Sequence, residues 1–171
     1  MAHSTVWDAD PVLRINKTTR LVEVPTACRV IGVEGDHRAE VLTIECPRTI
    51  DGHDVAGCAA RWVSWKNAAG TTGRYDVGSV EVHGDVVRFT WLADAGVTAR
   101  AGDVSFSVHF ADFGPTGELL YKWSTATCKD LRVLHTTESL ADDDHSLLYA
   151  DIDEGEVNAA VYNAVRRVLY G

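Results

Sequence analysis

From residue 103 to residue 110 the chain alternates without a break: Val104, Phe106, Val108 and Phe110 are apolar, while Asp103, Ser105, Ser107 and His109 are polar. Successive side chains of a strand point to opposite faces, so this spacing is a strand with one buried face and one wet face. The same period recurs upstream. Val80 and Val82 alternate with Ser79, Glu81 and His83, and Val87, Phe89 and Trp91 continue the apolar face after Gly84-Asp85. That predicts a hairpin whose turn uses the positive φ open to Gly84. Further runs fall at residues 20–24, 29–33, 40–46, 61–66, 73–77, 119–125 and 127–133. Pro25 and Pro47 end two of them, because proline has no N–H to give to a ladder. Gly114-Pro115-Thr116-Gly117 is a turn by composition and sets residues 119–125 antiparallel to 103–110. The expectation is an all-β fold, a meander of hairpins forming an antiparallel β-sandwich of roughly eight or nine strands.

After residue 133 the pattern changes. Residues 135–152 read as an acidic linker containing Asp142-Asp143-Asp144, and residues 153–171 as a short C-terminal α-helix. In that helix Val157, Val161, Val165 and Val168 recur at helical spacing, Asp153 and Glu156 resemble a capping box, and Arg166 and Arg167 suit the last turn. The chain thus divides into an N-terminal arm (1–19), a sandwich domain (20–134), the linker and the helix. The valine stripe needs a partner surface, since a lone helix of this length is marginal in water. It docks either on its own domain or, as the reach of the linker favours, on another copy in a trimer or dimer.

Charge narrows the function classes. With 16 Lys and Arg scattered along a chain of net charge −9, the clustered cations that hold phosphates are missing, and nucleic acid is not an expected partner. No apolar run approaches the roughly 20 residues that span a bilayer, and Met-Ala-His-Ser-Thr-Val-Trp-Asp lacks the basic and apolar regions of a signal peptide. Folding in a cytoplasm, without a membrane segment, is expected. Cys28, Cys46, Cys58 and Cys128 form no CxxC pair, so they read as reduced, buried thiols that bind no metal.

The sequence offers few groups for chemistry. Asp36-His37 followed by Glu40 could pair an acid with a base, but Gly35 and Asp36 mark a turn, with His37 at its end. His83 and His109 are expected in solvent, beside a turn and on a polar face. There is no GxSxG elbow, phosphate-binding loop or HExxH. Residues 151–156 look superficially like a calcium loop but lack its ligands at the right spacing, and read better as a helix start. Trp62, Trp65 and Trp123 could stack a carbohydrate, against the simpler reading that they fill the core with Trp91. No catalytic residue, cofactor or metal is expected.

The segment Gly32-Val33-Glu34-Gly35-Asp36-His37-Arg38-Ala39-Glu40, continuing through Leu42-Thr43-Ile44 to Arg48 and Asp51-Gly52, resembles the N-terminal domain of phage baseplate upper proteins and related minor tail proteins. Phe89-Thr90-Trp91-Leu92, the strand 104–110 and Tyr121-Lys122-Trp123-Ser124-Thr125 follow in that family's order, so the resemblance covers about residues 20–133. It implies an immunoglobulin-like sandwich that attaches to the virion, contacts other virion proteins and holds out a fibre or receptor-binding module. Where that module would follow, this chain has only the linker and helix. It is therefore expected to be a baseplate or tail-fibre adaptor, a head-fibre or capsid decoration protein, or a piece of a longer chain.

If the valine stripe joins copies, the double substitution Val161→Asp/Val165→Asp should turn an oligomer into a folded monomer by light scattering, with the sandwich's thermal transition little changed. A parent that is already monomeric, with a variant that merely melts earlier, would instead make the helix a buttress of its own domain.

Overall fold

A computed structural model of the chain describes residues 11–38 and 40–137. Among them the strands are β1 (Leu13–Ile15), β2 (Val22–Glu23), β3 (Val30–Val33), β4 (Glu40–Pro47), β5 (Thr49–Ile50), β6 (His53–Asp54), β7 (Ala60–Lys66), β8 (Thr72–Asp76), β9 (Glu81–His83), β10 (Val86–Ala93), β11 (Gly102–Phe113), β12 (Leu119–Ser124) and β13 (Cys128–Leu134). Helix among the described residues is limited to two 3-10 turns, Thr26–Cys28 and Val55–Gly57. The fold is all-β. No helix among the described residues is long and apolar enough to cross a membrane. The helix expected over residues 153–171 lies outside the described residues, as does most of the linker.

The strands form a five-stranded sheet in the order β2-β1-β4-β10-β9 and a six-stranded sheet in the order β3-β13-β11-β7-β8, with β12 also paired to β11. A small ribbon, β5-β6, stands apart from both. The two long strands that face each other, β10 and β11, bury every second residue over most of their length. In β10, Val87, Phe89, Trp91 and Ala93 are buried, and in β11, Val104, Phe106, Val108 and Phe110. These two rows meet across the gap between sheets. The Trp91 ring lies 5.2 Å from that of Phe106, and Phe89 meets Phe110 edge to face at 6.2 Å. Trp123, opposite Phe110 on β12, extends the aromatic layer at 6.1 Å.

The hairpins at Gly84-Asp85 and at residues 114–117 form as the sequence predicts, with Val86 opposite His83 and Phe110 opposite Trp123. Val82 nevertheless stays exposed, on the edge strand β9.

Two pairings depart from the antiparallel meander, because β1 runs parallel to β4 and β3 runs parallel to β13. The cause is topological. The chain leaves the five-stranded sheet after β2, adds β3 to the other sheet, and returns for β4. A strand that enters a sheet by such a crossing is not bound to the antiparallel sense that a tight hairpin imposes. Of the expected arm over residues 1–19, residues 11–19 are described, and there it is corrected, since Leu13 and Ile15 are buried core residues of β1. Three residues are too few to show a period, which is why the sequence hid this strand.

Two local features stiffen the sheets. Glu45 of β4 stands opposite both Arg14 and Arg88 and pairs with each, at 3.3 and 3.2 Å. On β8, directly opposite Trp65, Gly73 has no side chain, and a Cβ there would come within 2.1 Å of the indole. Glycine is what lets that ring lie flat across the edge of the sheet.

Substituting Trp91→Ala or Phe106→Ala should cost about 3–5 kcal/mol in urea denaturation, since each opens a cavity in the layer between the sheets. Val82→Ala, on the exposed edge, should stay within about 0.5 kcal/mol.

Candidate functional site

Residues 34–38 do not close a hairpin. They carry the chain from β3 in one sheet to β4 in the other, and residues 94–101 make a second crossing at the same end, from β10 to β11. The two crossings are clasped together. Gly35, at φ 95°, turns its N–H to the Thr98 carbonyl at 3.0 Å, and the buried Thr98 hydroxyl donates to the Asp36 carbonyl. Asp36 accepts from the Val33 N–H at 2.9 Å and so holds the end of β3. From the other side, the Ala95 N–H donates to His37 Nδ1 at 3.0 Å and the Arg38 N–H to the Ala93 carbonyl at 2.9 Å. Asp94 shapes the partner loop by accepting from Gly96 and Val97.

The motif residues Gly35, Asp36 and His37 are thus brought together, but as structural ties. Glu40 opens β4 and is exposed. An imidazole whose Nδ1 accepts a backbone N–H has its tautomer set by that bond, and no nucleophile is hydrogen-bonded to His37 among the described residues. His135 is largely exposed, 3.9 Å from Glu34. What the sequence could not show is Thr98, which lies 62 residues from Asp36 along the chain.

The tryptophans separate by face. Trp65 and Trp123 are 8% and 2% exposed and present no ring to a ligand, which removes two of the three candidate carbohydrate contacts. Trp62 points to the outer face of the six-stranded sheet, where His109 stacks on it at 5.1 Å and the Arg74 guanidinium lies 4.2 Å from the ring. The expectation that His109 is solvated is corrected. Its Nε2 lies 2.9 Å from Ser107 Oγ and its Nδ1 2.7 Å from Ser124 Oγ. Burial, then Lys122 and Arg74, hold it below the ordinary imidazole pKa. No periodicity marks this site, because pairing of β7 with β11 alone sets Trp62 against His109.

All four cysteines are free thiols. Burial, followed by the neighbouring Glu45, pushes Cys46 up to about 12, and burial, followed by Asp112, pushes Cys58 to about 11. A thiol that resists ionisation is a poor nucleophile and a poor metal ligand. No group of three or more His, Cys, Asp or Glu able to hold a metal occurs among the described residues. The candidate assembly face Val157, Val161, Val165 and Val168 lies outside the described residues.

No model of a known protein family matches this sequence, and no curated protein matches it.

Asp36→Ala and Thr98→Val should each lower stability by roughly 1–3 kcal/mol, because each leaves a backbone group at the clasp without its partner. A thermal melt of the two variants reads this. With its folded pKa below the ordinary value of about 6.5, His109 takes up its proton more readily in the unfolded chain. Its contribution is therefore complete above that pH and is lost as pH falls below it. His109→Gln should flatten that part of the curve of melting temperature against pH. At about pH 8 a thiol reagent should leave Cys46 and Cys58 unmodified in the native protein, and find four thiols once it is denatured without reductant.

Proposed function

We propose that the chain is a structural protein of a bacteriophage particle without catalytic activity, attached as a baseplate or tail-fibre adaptor or fibre-anchoring domain. The observation that carries this reading is that the groups most suggestive of chemistry are engaged in holding the fold. The Asp36 carboxylate holds the end of β3, His37 ties that crossing to the other, and burial keeps the Cys46 and Cys58 thiols hard to ionise. The residues that resemble the baseplate upper proteins, centred on Gly35-Asp36-His37, are thus the residues that set the shape of this end of the domain.

The reading includes an immunoglobulin-like sandwich. Supporting it, β4, β10 and β9 lie side by side as strands B, E and D do in that fold, and β13, β11 and β7 as G, F and C. A buried tryptophan, Trp65, occupies β7, the strand C position. The B–F disulfide of antibody domains has no counterpart, and the Trp91–Phe106 contact lies between the sheets instead. The C-terminal helix, the trimer or dimer, the virion location and the contacts with other virion proteins complete the proposal on the strength of the sequence. A head-fibre or capsid decoration role is the neighbouring alternative. A carbohydrate-binding module built on stacked tryptophans is the weaker reading, because Trp65 and Trp123 are buried.

Immunogold labelling of purified particles should decorate one defined position, tail tip or head, and that position chooses between the adaptor and decoration roles. Label absent from particles but present in the lysate would overturn the proposal, as would a turnover abolished by His37→Ala.

A further inference from the structure

The outer face of the six-stranded sheet holds an open trough of about 590 Å3, a volume typical of small-ligand sites. Its lining includes Ser64, Ser105, Ser107 and Thr127, together with Lys66 and Lys129. A second depression, of about 520 Å3, shares Lys66, Ser105 and Lys129 with it.

Strand pairing explains how these side chains converge. Across the β7–β11 ladder, Ser107 stands opposite Ser64 and Ser105 opposite Lys66. On the other side of β11, the register with β13 shifts between Val104 and Phe106, so Ser105 sits at a bulge. Bulges re-aim side chains and are over-represented beside functional sites. The two lysines therefore flank β11 from either side, on strands about 10 Å apart.

Among the described residues both lysines lack a partner. Neither has a hydrogen bond or an ion pair there, whereas Arg74, the third cation of the lining, is paired with Asp76 at 2.7 Å. In a chain with 25 acidic and 16 basic residues, two unpaired cations over one concavity mark it as a place for an anion.

We propose that this trough binds an acidic saccharide, with the sugar's anionic group between Lys66 and Lys129 and its hydroxyls on Ser64, Ser105 and Ser107. A serine hydroxyl can both donate and accept, which matches the hydroxyls of a polyol. Nucleic acid fits poorly. It carries a charge about every 1.7 Å of duplex and needs a track of cations, while two lysines on a net-negative protein match a ligand with well-spaced charges. The site does not use the Trp62 ring and stands whether or not the protein belongs to a virion.

Sialyllactose and trigalacturonate, with lactose and triglutamate as controls, test this by titration against the 15N-labelled full chain. The amides of Lys66, Ser105, Ser107 and Lys129 should shift saturably with either acidic sugar, with lactose at least about tenfold weaker. Lys66→Gln/Lys129→Gln, whose side chains are both exposed, should keep the melting temperature and lose about tenfold or more in affinity. Ser105→Ala should weaken the sugars while leaving the lysines in place. No shift at these amides with either acidic sugar up to about 10 mM would overturn the proposal. So would unchanged affinity in the double variant, and triglutamate binding as tightly as the sugars would make the ligand an acidic peptide instead.

Discussion

Two sheets can stack only if each turns an apolar face inward, and here the facing rows are β10 and β11, meeting through Trp91 on Phe106 and Phe89 on Phe110. Burying these rings, together with the aliphatic residues packed around them, drives the two sheets together. It also sets the register of everything attached to those strands. A slip of one residue in β11 would turn Phe106 and Phe110 to solvent and its serines and His109 into the core. The outer faces therefore inherit their arrangement from the inner ones. Trp62 meets His109, and the serines and lysines line one trough, because the inner alternation leaves each of them pointing outward at a defined height.

A stacked pair of sheets still needs its chain to cross from one to the other, and the crossings are where polar groups must be satisfied. At one end the strands β3 and β4 and the strands β10 and β11 are joined by loops that satisfy one another, through Gly35, Asp36, His37, Asp94 and Thr98. The Gly35-Asp36-His37 motif lies in that clasp. A clasp of this kind is demanding about residue type: glycine for a positive φ, aspartate for its reach to a backbone amide, a hydroxyl for a buried carbonyl. Such demands produce a recognisable sequence signature without any catalysis.

Much of this was legible in the residues. The alternation in 103–110 and the turn at Gly84-Asp85 led directly to β11 and the β9–β10 hairpin, since both are local and rest on a period of two. The turn at residues 114–117 placed β12 against β11 for the same reason. Other features were hidden. β1 was mistaken for part of an arm because three residues carry no period. The turn at Gly35-Asp36 has the composition of a hairpin turn, and nothing local says that its two strands belong to different sheets. Trp62, Trp65 and Trp123 look alike in the sequence, and only Trp62 faces out.

The sequence by itself determined that the described region is built of strands, and where several of its tight turns fall. These follow from side-chain period and turn chemistry, both of which act over a few residues. The tertiary structure alone decided which strands are neighbours, and with that the parallel entry of β1 and β3, the tie between Asp36 and Thr98, the stacking of His109 on Trp62 and the convergence of Lys66 with Lys129. Pairing partners are chosen by burial summed over two whole sheets, and that sum is not written in any one segment.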